Sequence, residues 1–345
     1  MKKLYVLLAA LLVAAMVLPA CAPAQADCRD EEVFCVGLVT DVGKINDKSF
    51  NQSAWEGVQR AEQELGATVQ YIETTDAKDY AKNIGTFGDA GYDVIVTVGF
   101  ALGEATAAAA ATYPEIDFIG VDQFQAETVD GVAGLNFPED QAGFLVGALA
   151  AMMSESNKIG AVCGTDAVPP VWRFGEGYKA GAAYADGMTG DTTEVFVVYH
   201  SDVGFDKTFT DPEWGASTAK SMMDQGADAI FGCGGITGNG AITAAAQAGA
   251  YAIGVDSDQY LTLPEAAPRM LSSAMKLITP GVFELVSLSK NGEFPSGNFF
   301  GDAGYAPYHD LENEVPAEVK AMMEQINAGL LDGSIKTNVP PVKPE

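Results

Sequence analysis

Four charged side chains lie at the carboxyl ends of runs that have the composition of buried strands. They are Asp41 after VFCVGLVT, Asp122 at the end of FIGVD, Asp256 at the end of AIGVD and Lys276 at the end of LSSAMK. Carboxylates accept hydrogen bonds from vicinal hydroxyl groups, and a lysine offsets their mutual repulsion. Together these residues indicate a site for a neutral, polyhydroxylated ligand. Each aspartate taken singly also has a simpler interpretation as a helix cap or a turn residue.

Aromatic side chains accompany these strand ends. Phe50 comes shortly after the first strand, and VPPVWRFGEGYKAG places Trp172 and Phe174 at the entrance of a helix predicted over 174–189. One ring from each half of the molecule could sandwich a flat heterocycle, and stacking contributes roughly 1–3 kcal/mol per base. The alternative is that these rings pack as core beneath the loops.

The elements that must position these residues alternate between strands and helices along most of the chain. Short Val- and Ile-rich runs separated by helical patterns indicate parallel sheets with helices on both faces. The alternation restarts after GVAGLNFPEDQ, which predicts an α/β fold of two doubly wound, Rossmann-like lobes joined by a hinge. Ligands of such sheets bind outside the carboxyl ends of the strands, and two facing lobes form a cleft that can close.

The predicted lobe boundaries follow the points at which this alternation breaks. Candidate hinges lie near residues 136–137, 276–279 and 301–305. Each lobe is therefore predicted to contain two segments, namely 33–136 plus 277–303 for the N-terminal lobe and 137–276 plus 304–340 for the C-terminal lobe.

The N-terminus has the layout of a secretory signal. Two lysines precede an apolar run that ends in LPAC, and a cysteine at this place resembles a bacterial lipobox. We therefore predict a signal peptide over 1–20, lipidation of Cys21 and a lipidated tether over 21–32. Acyl chains contribute ~0.8 kcal/mol per buried CH₂, so two or three of them hold a protein durably at a membrane. An ordinary cleaved signal or a retained helix is the alternative.

Export would place the other four cysteines in an oxidising compartment. Cys163 and Cys233 each end a predicted strand, and if these strands are neighbours a disulfide can join them at one sheet edge. Cys28 and Cys35 would then be the complementary pair. Metal binding is the rival interpretation, but a Cys-x6-Cys spacing with no nearby histidine gives it little support. We predict no metal site and no cofactor.

Charge and motif content exclude several classes of function. The formal net charge of −28 argues against nucleic acid as a partner, because that affinity rests on Lys and Arg neutralising phosphates. The turn GCGGITGNG does not match G-x-G-x-x-G, and the sequence contains no G-x-x-x-x-G-K-[ST] and no G-x-S-x-G. His200 could face the cleft, but proton shuttling would need a nucleophile that the sequence does not offer. We predict that the protein is not an enzyme.

Six stretches together resemble the basic membrane protein family of bacterial lipoproteins, which are substrate-binding proteins of ABC importers. They are GLVTDVGKINDKSFNQSAWEG, FIGVDQ, PPVWRFGEGYKAG, GGITGNGA, AIGVDSDQ and SSAMK. The resemblance covers nearly the whole chain from about Val33 onward. It implies a type I periplasmic-binding-protein fold with a purine nucleoside, the ligand of the best-understood members, held between the lobes.

By position, the resemblance assigns four kinds of role to residues of the cleft. They are Phe50 and Phe174 for stacking on the base, Asp41, Asn46 and Asp47 for its edge, Asp122, Asp256 and Lys276 for the ribose, and Gly235 for close backbone approach. Ile236 departs from the pattern, because this chain has Gly-Gly-Ile-Thr-Gly where the family often has Ala-Gly-Gly-Thr-Gly.

The resemblance also implies permease and ATPase subunits as partners and an extracytoplasmic location at the cell membrane through the lipid anchor. We expect the receptor to be a monomer. A sugar or an autoinducer is the alternative ligand; the pair Asn46 and Asp47 favours a base, since a pentose would not need it. A nucleoside-hydrolysing enzyme and a signalling or adhesive lipoprotein without a transport partner are the remaining alternatives.

Overall fold

The computed structural model describes residues 27–344, so the predicted signal peptide, Cys21 and the start of the tether lie outside the described residues. Within them the chain forms two six-stranded sheets with helices on both faces. The strands are β1 Cys35–Val42, β2 Thr68–Thr74, β3 Val94–Val98, β4 Asp117–Val121, β5 Val132–Asn136, β6 Lys158–Cys163, β7 Glu194–Tyr199, β8 Ala229–Cys233, β9 Tyr251–Asp256, β10 Met270–Lys276, β11 Gly297–Phe300 and β12 Ala303–Tyr305. The helices are α1 Phe50–Leu65, α2 Tyr80–Ala90, α3 Gly103–Thr112, α4 Glu139–Met153, α5 Pro169–Thr189, α6 Phe205–Thr208, α7 Pro212–Asp224, α8 Gly235–Gln247, α9 Gln259–Thr262, α10 Ile278–Lys290 and α11 Ala317–Leu331.

The two sheets repeat one strand order. The first sheet runs β2-β1-β3-β4-β5-β11 and the second runs β7-β6-β8-β9-β10-β12. Neighbouring strands are parallel, except that β12 lies antiparallel to β10 within the described chain. In each sheet the strand order reverses between its first and third strands, which is where doubly wound folds bind ligands. The predicted α/β fold of two doubly wound lobes is confirmed.

Both faces of each sheet are apolar because helices cover both. In the first lobe α1 and α10 pack on one face, with Val58 and Val282 among the buried residues, and α2 and α3 cover the other face. In the second lobe α4, α5 and α11 cover one face, and α7 and α8 cover the other. Helices α4 and α5 approach closely since a Cβ at Gly147 would collide with the carbonyl oxygen of Tyr178.

The chain passes between the sheets three times, after β5, after β10 and after β11. Helix α10 follows β10 of the second sheet but packs with the first lobe, and β11 then completes the first sheet. Ala303 already pairs in the second sheet, one residue before the predicted start of that segment at 304. Each lobe is therefore built from separate stretches of chain.

Two disulfides stabilise the described part of the chain, Cys28–Cys35 and Cys163–Cys233. The second joins β6 and β8, which are adjacent strands with these two residues in register. Among residues 27–344, no helix combines the length and apolar character needed to cross a bilayer. The same residues contain no cluster of three or more His, Cys, Asp or Glu side chains suited to a metal ion.

Candidate ligand-binding site

A cavity lies between the lobes, at the carboxyl ends of the strands, and its empty space of about 730 Å³ is partly open to solvent. Eight of the residues predicted from the sequence line it, namely Asp41, Asp47, Phe50, Asp122, Phe174, Gly235, Asp256 and Lys276. Asn46 does not line it, because its side chain is exposed and lies on a separate groove outside the cavity.

Asp41 lies near the end of β1 and is paired with Asn51 on α1. The Asn51 amide donates a hydrogen bond to Asp41 Oδ1 at 3.4 Å. Burial raises the pKa of Asp41 to about 7; the Asn51 hydrogen bond opposes this rise, and the nearby Asp47 and Asp122 carboxylates add to it. Near neutral pH this carboxyl group can therefore donate a hydrogen bond as well as accept one. Asn51 was not predicted, because its position in a helix carries no signal of a binding role.

Asp47 caps helix α1, which differs from its predicted role at the edge of a base. Its carboxylate accepts hydrogen bonds from the backbone N–H groups of Ser49, Asn51 and Gln52 at 3.0, 2.9 and 3.1 Å. Burial raises the pKa of Asp47, and these N–H groups oppose the rise. Since both oxygens are occupied by the helix N-terminus, the main role of Asp47 is to fix the loop that precedes Phe50.

Lys276 and Asp122 form an ion pair across the two lobes. Lys276 Nζ lies 2.6 Å from Asp122 Oδ1 and 3.7 Å from Glu139 Oε1, and the Lys276 side chain is 1% exposed. Burial acts to lower the pKa of Lys276, but Asp122, Glu139 and Asp256 together raise it above its ordinary value. The lysine therefore remains charged within a group of carboxylates.

Glu139, the first residue of α4, belongs to the same charge cluster but was not predicted from the sequence. Burial raises its pKa to about 7, against the opposing effect of Lys276. Arg173 Nη1 lies 3.6 Å from its second oxygen. A glutamate in the first turn of a helix is ordinary, because the helix dipole stabilises a negative charge there, and so nothing in the sequence indicated the burial of Glu139.

Asp256 and Asp122 occupy equivalent places at the ends of the fourth strands of the two sheets. Both adopt the left-handed region, with φ of 64° and 61°, which is costly for a non-glycine residue. Ser49 Oγ lies 2.9 Å from Asp256 Oδ2. Burial raises the pKa of Asp256 to about 6, partly offset by Lys276. The two aspartates thus present strained, buried carboxyl groups to the cavity.

The aromatic lining differs in part from the prediction. Helix α5 begins at Pro169, where the fixed φ of proline suits a first turn, so Trp172 and Phe174 lie inside the helix and not at its entrance. Phe174 is 3% exposed and packs edge to face against Phe231. Trp172 is buried without lining the cavity.

Three phenylalanines that were not predicted also line the cavity, Phe100, Phe205 and Phe209. Phe100 is 46% exposed and follows β3, whereas the other two lie in the segment that follows β7. Each of these segments follows the carboxyl end of a strand, and this position is the signal that could have identified the three phenylalanines. Phenylalanine rings from both lobes, Phe50 and Phe100 from the first and Phe209 from the second, therefore line the same cavity.

Gly235 begins helix α8 with φ of 54°, a conformation that favours glycine. Ile236, the departure from the family pattern, also lines the cavity. His200 is 2% exposed and does not line it. Its ring stacks on Trp214 with centroids 3.9 Å apart.

Two doubly wound lobes around a cavity that is lined by charged and aromatic residues at the strand ends define a two-lobed solute-binding protein. A crystal structure of an ABC transporter solute-binding protein from Aeropyrum pernix K1 is similar, with a TM-score of 0.79 and 26% identity over 90% of this chain and 94% of that one. The chain belongs to the Bmp family, whose profile, described as "ABC transporter substrate-binding protein PnrA-like", matches residues 34–300.

Curated relatives agree with this assignment. The ABC transporter nucleoside-binding protein BmpA of Lactococcus lactis subsp. cremoris is 28% identical, covering 86% of this chain and 87% of the relative. Basic membrane protein A of Borreliella afzelii is also 28% identical, covering 87% and 90% respectively. The predicted family is confirmed, and the protein is a substrate-binding protein of an ABC transporter and not an enzyme.

Proposed function

We propose that the protein captures a purine nucleoside in the cavity between its lobes and delivers it to the permease and ATPase subunits of an ABC importer. It acts as a monomer at the extracytoplasmic face of the cell membrane, held there by lipid on Cys21. Other members of the family are named lipoproteins and membrane proteins, which supports this location.

The observation that carries the proposal is the mixed lining of one cavity. Rings from both lobes, among them Phe50 and Phe209, suit the faces of a flat heterocycle. Carboxyl groups at the strand ends, Asp122 and Asp256, suit the hydroxyl groups of a pentose. Asp41, which can both donate and accept, suits a base edge that carries both kinds of group. The Lactococcus relative is named as nucleoside-binding.

The charges of the site favour a nucleoside over a nucleotide. Asp41, Asp122 and Asp256 line the cavity, and Lys276 is already paired with Asp122. A phosphate group would be repelled by the unpaired carboxylates and would find no free cation among the described lining residues that are buried. A neutral ligand carries no such cost.

Isothermal titration of the purified protein with matched ligands tests the proposal. We expect inosine, guanosine or adenosine to bind with a dissociation constant near or below about 1 μM, which corresponds to roughly −8 kcal/mol. Ribose, galactose and inosine 5′-monophosphate should bind far more weakly. Binding of a sugar without binding of any nucleoside would identify the alternative receptor class, and release of free base from inosine would reveal an enzyme.

A further inference from the structure

Three consecutive residues of the first lobe, Asp47, Lys48 and Ser49, are hydrogen bonded to the second lobe. The Asp47 carbonyl oxygen accepts from Asn239 Nδ2 at 2.7 Å, and Ser49 Oγ donates to the Val255 carbonyl oxygen at 3.0 Å. The Lys48 carbonyl oxygen accepts from three side chains of the second lobe, namely Gln259 Nε2 at 3.1 Å, Thr262 Oγ1 at 2.8 Å and Ser257 Oγ at 3.3 Å. The loop 47–49 therefore joins the two lobes through several hydrogen bonds between side chains and backbone carbonyl groups.

The backbone of Lys48 has a conformation that needs support. Its φ is 67°, in the left-handed region that costs a non-glycine residue roughly 1–3 kcal/mol. Such a conformation persists only where the surroundings hold it. The second-lobe donors to the Lys48 carbonyl oxygen supply that support from across the cleft.

Asn239 and Gln259 form the buried part of this junction. Gln259 is fully buried and Asn239 is 8% exposed. Gln259 Nε2 donates to Asn239 Oδ1 at 2.9 Å as well as to Lys48, and Gln259 Oε1 accepts from the backbone N–H of Val255 at 2.9 Å. The two amides are fully paired only while the first-lobe loop is in place. Separation of the lobes would leave their donors to find water.

Neither amide lines the cavity, but both touch the segments that shape it. Asp47 caps the helix that begins at Phe50, and Val255 precedes Asp256. A shift of this junction would therefore move an aromatic ring on one wall and a carboxylate on the other.

We infer that Asn239 and Gln259 are positioning residues that hold the lobes closed. Together with the loop 47–49 they form a clasp, a direct connection between the lobes that raises ligand affinity although neither amide lines the cavity. The expected effect on ligand affinity rests on the proposed nucleoside-binding function, whereas the effect on the arrangement of the lobes can be measured without any ligand.

The variant Gln259→Glu tests the clasp with little change of shape. The glutamate keeps the side-chain oxygen that accepts from the Val255 N–H. Its second oxygen replaces the donor Nε2 and is placed against the Lys48 carbonyl oxygen and Asn239 Oδ1, to which Nε2 donates in the parent. Gln125→Glu is a matched control, because Gln125 Nε2 also donates to two acceptors and its Oε1 accepts one backbone N–H, all within the first lobe. Thr262→Val removes only the hydrogen bond from Thr262 Oγ1 to the Lys48 carbonyl oxygen and introduces no charge.

The readouts are small-angle X-ray scattering without ligand and stopped-flow dissociation of inosine. We expect Gln259→Glu to increase the radius of gyration and to release inosine about tenfold faster, with a smaller change in the same direction for Thr262→Val. Gln125→Glu should change neither. Unaltered scattering and dissociation in both clasp variants would overturn the inference. If no variant and no parent protein binds a nucleoside, the proposed function fails, and scattering alone still decides the clasp.

Discussion

Lys276 and Asp122 form a buried ion pair that connects the two lobes, with Nζ and Oδ1 2.6 Å apart. Asp122 follows β4 of the first sheet, and Lys276 ends β10 of the second, one residue before the chain crosses back into the first lobe. The pair therefore ties the cavity wall directly to a point where the lobes can move relative to each other.

Replacing Lys276 by methionine should strongly destabilise the protein. Asp122 and Glu139 would remain buried without their main counter-charge, and breaking a buried pair in this way typically costs roughly 3–5 kcal/mol. Urea denaturation measures the loss. Lys290→Met, at an exposed position on α10, should change stability by less than about 1 kcal/mol. A Lys276→Met protein as stable as the parent would contradict this account of the cluster.

The free energy of unfolding should fall as the pH rises from about 4 to about 7. Burial raises the pKa of Asp41 and Glu139 to about 7 and that of Asp256 to about 6, so the folded protein binds these protons more tightly than the unfolded chain. The stabilisation is fully present only below the pKa of an unfolded carboxyl group, about 4, and is lost progressively as the pH rises to the folded values. Chemical denaturation between about pH 4 and pH 8 checks the slope.

Asp41→Asn should flatten that slope, whereas Asp224→Asn, at an exposed position, should leave it unchanged. The control is needed because the net negative charge, −28 at pH 7, also increases with pH and also lowers the stability of the folded protein through self-repulsion. Equal slopes in the Asp41 variant and the parent would show that this carboxyl group has an ordinary pKa.

Phe50→Ala and Phe174→Ala should have different effects. Phe50 is partly exposed to the cavity, and its loss should weaken inosine binding by roughly 1–3 kcal/mol with little effect on folding. Phe174 is 3% exposed within the core of the second lobe, so its truncation should cost roughly 3–5 kcal/mol of stability. Calorimetry and denaturation on both variants separate the two effects. Unchanged affinity in Phe50→Ala would exclude stacking on that ring.

Asp256→Asn should penalise ribosides more than free bases. The change preserves shape and suits the left-handed backbone at this position, since asparagine tolerates it well. Loss of a charge-assisted hydrogen bond should weaken inosine binding by roughly 1.5–3 kcal/mol and leave hypoxanthine binding nearly unchanged. Equal losses for both ligands in parallel titrations would refute the ribose assignment.

The two disulfides should contribute unequally to stability. They close loops with sequence separations of 7 and 70 residues. Loop-closure entropy makes the longer one worth about 2 kcal/mol more. Denaturation of the Cys28→Ala/Cys35→Ala and Cys163→Ala/Cys233→Ala double variants compares them directly, and a larger loss from the first pair would contradict the entropic explanation.

The doubly wound fold could be predicted because buried parallel strands such as β3 and β9 are continuous apolar runs separated by helical patterns. The edge strands β11 and β12 could not, since GNFF and AGY are too short to carry a pattern. The predicted start of α5 at 174 is too late, because the helix already begins at Pro169 and proline is acceptable in a first helical turn.

The site was predictable where a strand end alone decides the position. Asp122, Asp256 and Lys276 reach the cavity for that reason. Glu139 could not be found, because its burial depends on how α4 packs against the hinge and on the lysine of a distant strand. Asp47 lines the cavity, but its carboxylate oxygens accept hydrogen bonds from the start of helix α1, which the sequence did not indicate.

The three passages of the chain between the sheets limit how this protein can be recombined. A chimaera of two relatives joined after Asn136 would take β1 to β5 from one parent and both α10 and β11 from the other. The hydrophobic layer between α1 and α10 would then contain side chains that were never selected together. New ligand preferences in this architecture therefore arise more readily from point substitutions than from exchange of whole halves.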